Sequence, residues 1–467
     1  MNRKISVTII VICVFLTVIV IFSIIKSTVH IYSIEYDIEP TCDSSGGHYL
    51  KCSICGKTIQ TSKTEPLGHK GEWIVLKEPT IATPGEMEER CTVCKKQLDL
   101  IKTPVEFSVI PSLYLTGSGI SMTDTNSVPV SFTYSENYEN SDITSVNFTG
   151  RTFVRLMNRE PINTTKHSYV INNFTAENGD KPDFGDFGKC DEIYIYSNKD
   201  DPTFARRLLT YEQWRNIVTE KYPEYLNFIS VSENVNYSGY NMLLYIKSKK
   251  SDYSFAGIYT LSIPYEIFAK NKKQEIKYAV EYTLGEEEYF KYIYGDTGDE
   301  EKVLESLKNK LAAGTSEIES FTNKEFLIDY CAFSLLVGNA DAFTNIYWVT
   351  SDGNTWYPVF ENTEHTFGRT SGSDYLSDPG FQIKRGSFWD SILSEYSENI
   401  SRRIYDFASG NLTPEKMRSE FEKYVSRFDD EVYAENYRTY GKTYIDPNEE
   451  IENSILWYEQ RVQLFVG

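Results

Sequence analysis

Residues Phe326–Gly368 read FLIDYCAFSLLVGNADAFTNIYWVTSDGNTWYPVFENTEHTFG, and the rest of the chain is arranged around them. The pattern predicts an apolar helix to about Leu336, a polar turn NADAFTN, a strand IYWVT, a turn SDGN, a second strand TWYPVF, and a turn ENTEH closed by TFG. A hairpin of this kind brings the first turn, with Asp341 and Asn345, beside the second, with Asn362 and Glu364. Phosphoryl transfer needs such oxygens: one carboxylate orients or deprotonates the acceptor hydroxyl, and the others hold Mg²⁺ against the phosphates. On this reading Asp341 is the catalytic carboxylate, and Asn345, Asn362 and Glu364 are ligands for Mg²⁺ or Mn²⁺. Asn339 reads as a turn former and His365 as a surface residue.

The run GNADxxxN, then an aromatic strand, a short turn, an aromatic-Pro strand and an acidic turn before TFG, resembles the spore-coat protein H (CotH) family of atypical protein kinases. In that family the second cluster reads Pro-Trp-Asp-x-Asp-x-Thr-Phe-Gly. Counted back from Gly368, its metal-binding Asp falls on Asn362 and its second Asp on Glu364. The resemblance implies an α+β, two-lobed kinase-like fold over Val105–Gly467, with ATP as cofactor.

Upstream, VEFSVIPSLYLTG, VPVSFTYSE and SVNFTGRTFVRLM alternate apolar and polar residues as strands do. Family members carry Arg-Gly-Asn-Ser-Thr and then Lys-Lys-Ser-Tyr; here stand GRTFVR and TKHSYVI, which match at Arg151 and Lys166. The resemblance implies that Lys166, on a strand, reaches the nucleotide phosphates, with Arg151 assisting. From the pattern alone Lys166 reads as a solvent-facing strand residue, the common case for lysine, and Arg151 reads equally as an assisting cation or as the partner of a surface carboxylate. The family's Gly-x-Tyr-x-Leu-x-Glu strand is matched at Gly257 and Tyr259, but its Glu falls on Ser262.

Thr203–Tyr222 reads as an amphipathic helix with Arg206, Arg207 and Glu212 on a solvated face, although kinase-type folds use a helix carboxylate such as Glu212 to hold the lysine. Residues 285–314 read as charged, solvent-facing helix. Helices are expected over SFWDSILSEYSENISRRIYDFASG, TPEKMRSEFEKYVSRFDDEVYAENYRTY and DPNEEIENSILWYEQRVQLFV.

At the other end, Ile5–Ile25 carries no charge and is long enough to span a bilayer, after a stub of residues 1–4. Arg3 and Lys4 before it favour a cytoplasmic N-terminus and a single-pass cell-membrane protein whose bulk lies outside. A cleaved signal peptide is the alternative, although the run is long for one and no Ala-x-Ala site follows.

Residues 36–104 hold two copies of a Cys-rich unit, EPTC…KCSICGK…PLGH and EPTI…RCTVCKK…IKTP, like the zinc-ribbon-like modules of bacterial surface proteins. Cys42, Cys52, Cys55 and His69 of the first copy form a Cys₃His set for structural Zn²⁺. The second copy, with Ile81 in place of a cysteine, keeps Cys91 and Cys94 as a free or disulfide-linked pair; disulfides throughout are the alternative.

The net charge of −20 over 467 residues, without a basic stripe, argues against nucleic acid as partner. With 40% hydrophobic and 14% aromatic residues the chain is globular. Two functions fit: a membrane-anchored kinase that phosphorylates Ser or Thr of an envelope or coat protein, or a pseudokinase that binds a protein partner. The departures at Asn362 and Ser262 separate them.

Overall fold

The structure, a computed structural model, describes residues 2–77, 85–103, 110–117, 127–135, 148–157, 166–176, 179, 181–182, 184, 187–231, 237–247, 254–272, 274–296, 298–372 and 376–466. Ile81, Pro104 and the strand start expected at Val105 lie outside them. The architecture is mixed α+β. Two compact units divide the chain, one of Met1–Thr80 with Pro84–Glu106 and the other of Ile81–Thr83 with Phe107–Gly467.

The first unit opens with α1 (Asn2–Thr28). Its segment Val7–Thr28 has a mean hydropathy of 3.2 and is wholly exposed, long and apolar enough to cross a membrane. The Thr17 hydroxyl donates back to the Cys13 carbonyl at 2.8 Å, so it needs no water there. Two antiparallel sheets follow among the described residues: β1 (Tyr32–Ile38), β2 (Gly46–Cys52) and β3 (Thr58–Thr64), then β4 (Gly71–Lys77), β5 (Gly85–Cys91) and β6 (Gln97–Thr103). Each strand of the second sheet begins 39 residues after its counterpart in the first. Sheets this small bury little, and Trp73, Ile74 and Val75 of β4 remain exposed. Something other than an apolar core must hold each one together.

In the second unit seven described strands close into a barrel: β7 (Ser112–Thr116), β8 (Val128–Ser135), β9 (Phe148–Leu156), β10 (Tyr169–Ala176), β11 (Glu192–Tyr196), β12 (Tyr240–Lys247) and β13 (Ser254–Ser262), in the spatial order β10-β11-β13-β12-β7-β8-β9. Period-two patterning turns Val130, Phe132 and Tyr134 of β8 inward, where Phe132 meets Phe174 edge-on at 5.0 Å. Closure leaves no unpaired strand edge.

Between β11 and β12 runs α2 (Arg206–Lys221). The face expected to be solvated is the buried one: Arg206 is fully buried and Arg207 nearly so. Buried carboxylates account for Arg206, which pairs with Asp201 at 2.5 Å and Glu450 at 2.7 Å. Arg369 grips the same Glu450 with Nε at 2.8 Å and Nη2 at 2.7 Å. Charges taken out of water require such pairing.

After the barrel come α3 (Tyr265–Asn271), β14 (Tyr278–Leu284), β15 (Glu288–Tyr294), α4 (Glu300–Ala313), α5 (Ile318–Phe321), α6 (Lys324–Val337), β16 (Asn345–Thr350) and β17 (Tyr357–Phe360). Part of the expected 285–314 helix is thus the strand β15, because EYFKYIY alternates and pairs with β14. The expected hairpin is present: β16 and β17 pair antiparallel, with Ile346 opposite Phe360, in the sheet β15-β14-β16-β17. Helix α6 is buried on nearly every side. Asn323 Oδ1 caps it by accepting from the Phe326 N–H at 3.1 Å.

Helices α7 (Ser387–Glu395), α8 (Ser397–Ser409), α9 (Pro414–Val425), α10 (Asp430–Thr439) and α11 (Pro447–Val466) complete the unit. The first two expected helices are each broken in two, at Tyr396 and across 426–429.

Candidate functional site

Helix α6 ends at Gly338, whose φ of 63° is left-handed and whose place would bring a Cβ to 2.4 Å from the Trp457 ring. Conformation and space both require glycine there. Asn339 Oδ1 accepts from the Asp341 N–H at 3.1 Å and so shapes the next turn. The chain then runs out along β16, back along β17, and returns Asn362, Glu364 and His365 to the side of Asp341.

Asn362 is the hub. Its Nδ2 donates to Asp341 Oδ2 at 3.3 Å and to Glu364 Oε1 at 3.5 Å, while its Oδ1 accepts from Arg207 Nη1 at 3.3 Å. The Arg207 guanidinium lies 3.6 Å over the centre of the Tyr196 ring. Asn345 borders the group: its N–H donates to the Asp341 carbonyl at 3.0 Å and its Oδ1 accepts from Thr283 at 3.4 Å.

His365, expected at the surface, is only 7% exposed. Its Nδ1 lies 2.7 Å from Asp341 Oδ2, and its Nε2 lies 3.8 Å from Asp200 and 3.7 Å from Glu364. Burial disfavours its charge, but Asp200 and Asp341 outweigh burial and push the imidazolium up to about 10. Beside it, burial and then Glu281 raise the Glu361 carboxyl to about 7. Glu361 shares a cavity of about 10 Å³ with Arg207, Tyr196, Tyr347 and Ser262, room for one water.

The two cations named from the sequence stand elsewhere. Lys166 lies in the bend before β10, not on a strand, and its ammonium donates to the Ile258 carbonyl at 2.6 Å and to Asn436 Oδ1 at 3.0 Å. Phe204 and Tyr259 cover it, with their ring centres at 4.6 and 4.7 Å. Burial pulls its pKa well below the usual lysine value. Gly257 makes the space: a Cβ there would sit 2.5 Å from Asn436 Oδ1 and 3.3 Å from Lys166 Cε. Among the described residues no contact joins Lys166 to Asp341, Asn362 or Glu364.

Arg151 is exposed on β9. Glu212 does not meet Lys166; it pairs with Lys423 at 2.8 Å and accepts from the Tyr424 hydroxyl at 2.5 Å. Ser262 is buried and donates to the Tyr237 carbonyl at 2.7 Å.

The four cysteine-module residues expected to form one set are divided between two clusters. Cys42 and His69 join Cys91 and Cys94, and Cys52 and Cys55 join His30; within each cluster all ligand atoms lie within 4.8 Å of one another. The reason is register. A Cys-x-x-Cys turn lies against the histidine that opens its own unit, as the matching bonds Ser53 N to Ile31 O and Thr92 N to Lys70 O show, both 2.9 Å. PLGH69 therefore begins the second unit and does not end the first. The thiols diverge: backbone N–H groups, that of Cys94 first, lower Cys91 to about 5; at Cys52 burial is outweighed by backbone N–H groups of Cys55 and Ile54 together with His30, which lower it to about 6; burial and the neighbouring Cys91 push Cys42 up to about 11.

Sequence reasoning missed Asp200, His365 and Arg207. The acidic pair in KDDPT, between a strand and a helix, was the available signal for Asp200. For Arg207 the amphipathic pattern gave the wrong face.

No curated protein and no solved structure matches the chain. The family described as CotH kinase protein matches residues 161–465, a span that contains Lys166, α2, the Asp341 turn and the Asn362–His365 turn. Since that is well over half of the sequence, the chain belongs to the CotH kinase protein family.

Proposed function

We propose that this chain is a membrane-anchored, extracytoplasmic CotH-like protein kinase of two-lobed fold, which moves the γ-phosphate of ATP to Ser or Thr hydroxyls of a cell-envelope or coat protein. One observation carries the reading: segments around residues 200, 341 and 364 converge, so that Asp200, Asp341 and Glu364 all face His365. Carboxylates crowded together in this way mark sites of cation or substrate chemistry. The donors are oxygens, which suits Mg²⁺ or Mn²⁺ held by Glu364, Asn362 and Asn345. The ion would neutralise charge on the transferring phosphoryl group. Asp341, with Oδ2 fixed by His365 and Asn362, has Oδ1 left to orient the acceptor hydroxyl and take its proton.

The anchor supports the cellular setting. Helix α1 offers a single span, and Arg3 and Lys4 on its N-terminal side favour leaving the catalytic unit outside.

A second reading, a pseudokinase that binds an envelope protein, is favoured by the cations. Lys166 is engaged by Ile258 and Asn436, Arg151 is exposed on β9, and Asn362 brings an amide where a carboxylate would hold the ion. The test is thermal unfolding of the detergent-solubilised full chain with ATP, with and without Mn²⁺, alongside transfer of radiolabelled phosphate to a generic basic protein. Metal-dependent stabilisation by ATP, together with transfer that is lost in Asp341→Asn, supports the kinase. The absence of a shift at millimolar ATP supports the pseudokinase.

A further inference from the structure

The Cys-rich unit repeats with a period of 39 residues: His30 corresponds to His69, Cys52 to Cys91 and Cys55 to Cys94. Each trio forms one cluster, but the two clusters differ in a single ligand. The second includes Cys42, which comes from the preceding unit and whose Sγ lies 3.6 Å from that of Cys91. The first would need the cysteine of a unit before it, and 39 residues before Cys42 stands Arg3, inside α1.

We propose that both clusters bind Zn²⁺ and that they are chemically unlike: Cys42–His69–Cys91–Cys94 is a closed structural site that ties one unit to the next, whereas His30–Cys52–Cys55 is an open site whose fourth position takes an exchangeable water or thiolate ligand. The proposal is independent of the kinase reading.

Thiolate and imidazole donors are the set zinc prefers. In the second cluster Cys94 Sγ lies 3.5 Å from His69 Nδ1, while His69 Nε2 bonds Asp43 Oδ1 at 2.8 Å. A carboxylate on the far nitrogen fixes the tautomer and aims Nδ1 at the ion, as outer partners of metal-bound histidines do. In the first cluster His30 Nδ1 lies 3.1 Å from Cys55 Sγ, and the Ile31 N–H donates to Cys52 Sγ at 3.3 Å. Cys52 is buried, whereas His30 and Cys55 are partly exposed, so an outside ligand has access.

Charge points the same way. Two thiolates and a neutral imidazole leave a bound Zn²⁺ site neutral, so a fourth thiolate brings it to the single negative charge that the closed site carries. Four ligands close a structural zinc; three with one free position make a site that exchanges ligands.

The test is metal analysis of the purified, detergent-solubilised full chain. Two Zn²⁺ per chain are expected; Cys52→Ser removes one, and Cys91→Ser and Cys42→Ser each remove or weaken the other. If instead Cys42→Ser and Cys52→Ser affected the same ion while Cys91→Ser changed nothing, the cross-unit wiring would be refuted. Because such variants can misfold, the second measurement uses the unmutated chain loaded with Co²⁺. Adding 2-mercaptoethanol should change the visible spectrum of one Co²⁺ and leave the other unaltered. A spectrum indifferent to the thiol, or a single ion per chain, overturns the open site.

Discussion

His365 Nδ1 lies 2.7 Å from Asp341 Oδ2, so the residue expected to handle the acceptor hydroxyl is already paired with an imidazolium. One imidazolium against Asp200, Asp341 and Glu364 leaves the cluster net negative, so it offsets part of the repulsion among the carboxylates and leaves charge for a cation to neutralise. The pairing has a measurable cost for any metal that enters, because the incoming ion meets a resident positive charge.

The first prediction concerns pH. With its carboxylate partners Asp200, Asp341 and Glu364, His365 titrates near 10 in the folded chain, against about 6.5 unfolded. A raised basic group binds more protons in the native state, so its contribution is complete below about pH 6.5 and is lost as pH rises through about 10. In chelator, wild type should be more stable than His365→Gln at pH 6 by about 1.5–3 kcal/mol, the worth of a charged hydrogen bond. The gap should shrink toward pH 10 in thermal melts; a constant gap would refute the assignment.

Asn362→Asp should move metal-free and metal-bound stability in opposite directions. The substitution removes two N–H donors and sets a third carboxylate among Asp341 and Glu364, which should cost about 1–2 kcal/mol without metal. With Mn²⁺ the same carboxylate becomes a charged ligand. The Mn²⁺-induced rise in melting temperature should therefore exceed that of wild type, measured by differential scanning fluorimetry.

Asp341→Asn tests the chemistry at a side chain that is 26% exposed and removes one charge from the His365 cluster. Loss of the proton acceptor should lower phosphate transfer by about 10²–10⁴-fold, the usual worth of general-base catalysis, and the weakened pair with His365 should lower the melting temperature as well. Transfer undiminished in this variant would exclude Asp341 as the base.

Lys166→Met keeps the volume and removes the ammonium from Ile258 and Asn436. A stability loss of about 1–3 kcal/mol is expected from the lost hydrogen bonds and ring contacts, read by chemical denaturation. An unchanged ATP response would identify Lys166 as a packing residue; a lost response would restore it to the phosphates.

Arg206→Ala leaves Glu450 and Asp201 short of a buried partner, and the cost should be about 3–5 kcal/mol. Circular dichroism melts would show it as a large drop in midpoint.

The hairpin and its two turns were legible because they are local: strand alternation, Gly338 and the turn residues report on neighbours a few positions away. Family membership was legible from the same stretch together with Lys166, which the matched span contains. The surroundings of the site were not, since they depend on contacts across the sequence. Arg207 reaches Asn362 over 155 positions and Arg206 reaches Glu450 over 244. No periodicity reveals that an arginine pair on an amphipathic helix faces inward, one to the Asn362 amide and the other to the Glu450 carboxylate. The cysteine ligands failed for a subtler reason: spacing counted the right residue types, but the unit boundary was drawn after His69 when it falls before it.

The clasp of Glu450 by Arg206 and Arg369 also bears on biogenesis. Both arginines are laid down before their shared counter-charge on α11, so a chain emerging N-terminus first can pair Arg206 with Asp201 but leaves Arg369 and the second half of the Arg206 fork without Glu450 until its final helix arrives. Assembly of the scaffold around the carboxylate turns is thereby deferred to the end of synthesis, and interrupting the polypeptide before α11 would leave a form whose turns exist but whose scaffold has not locked.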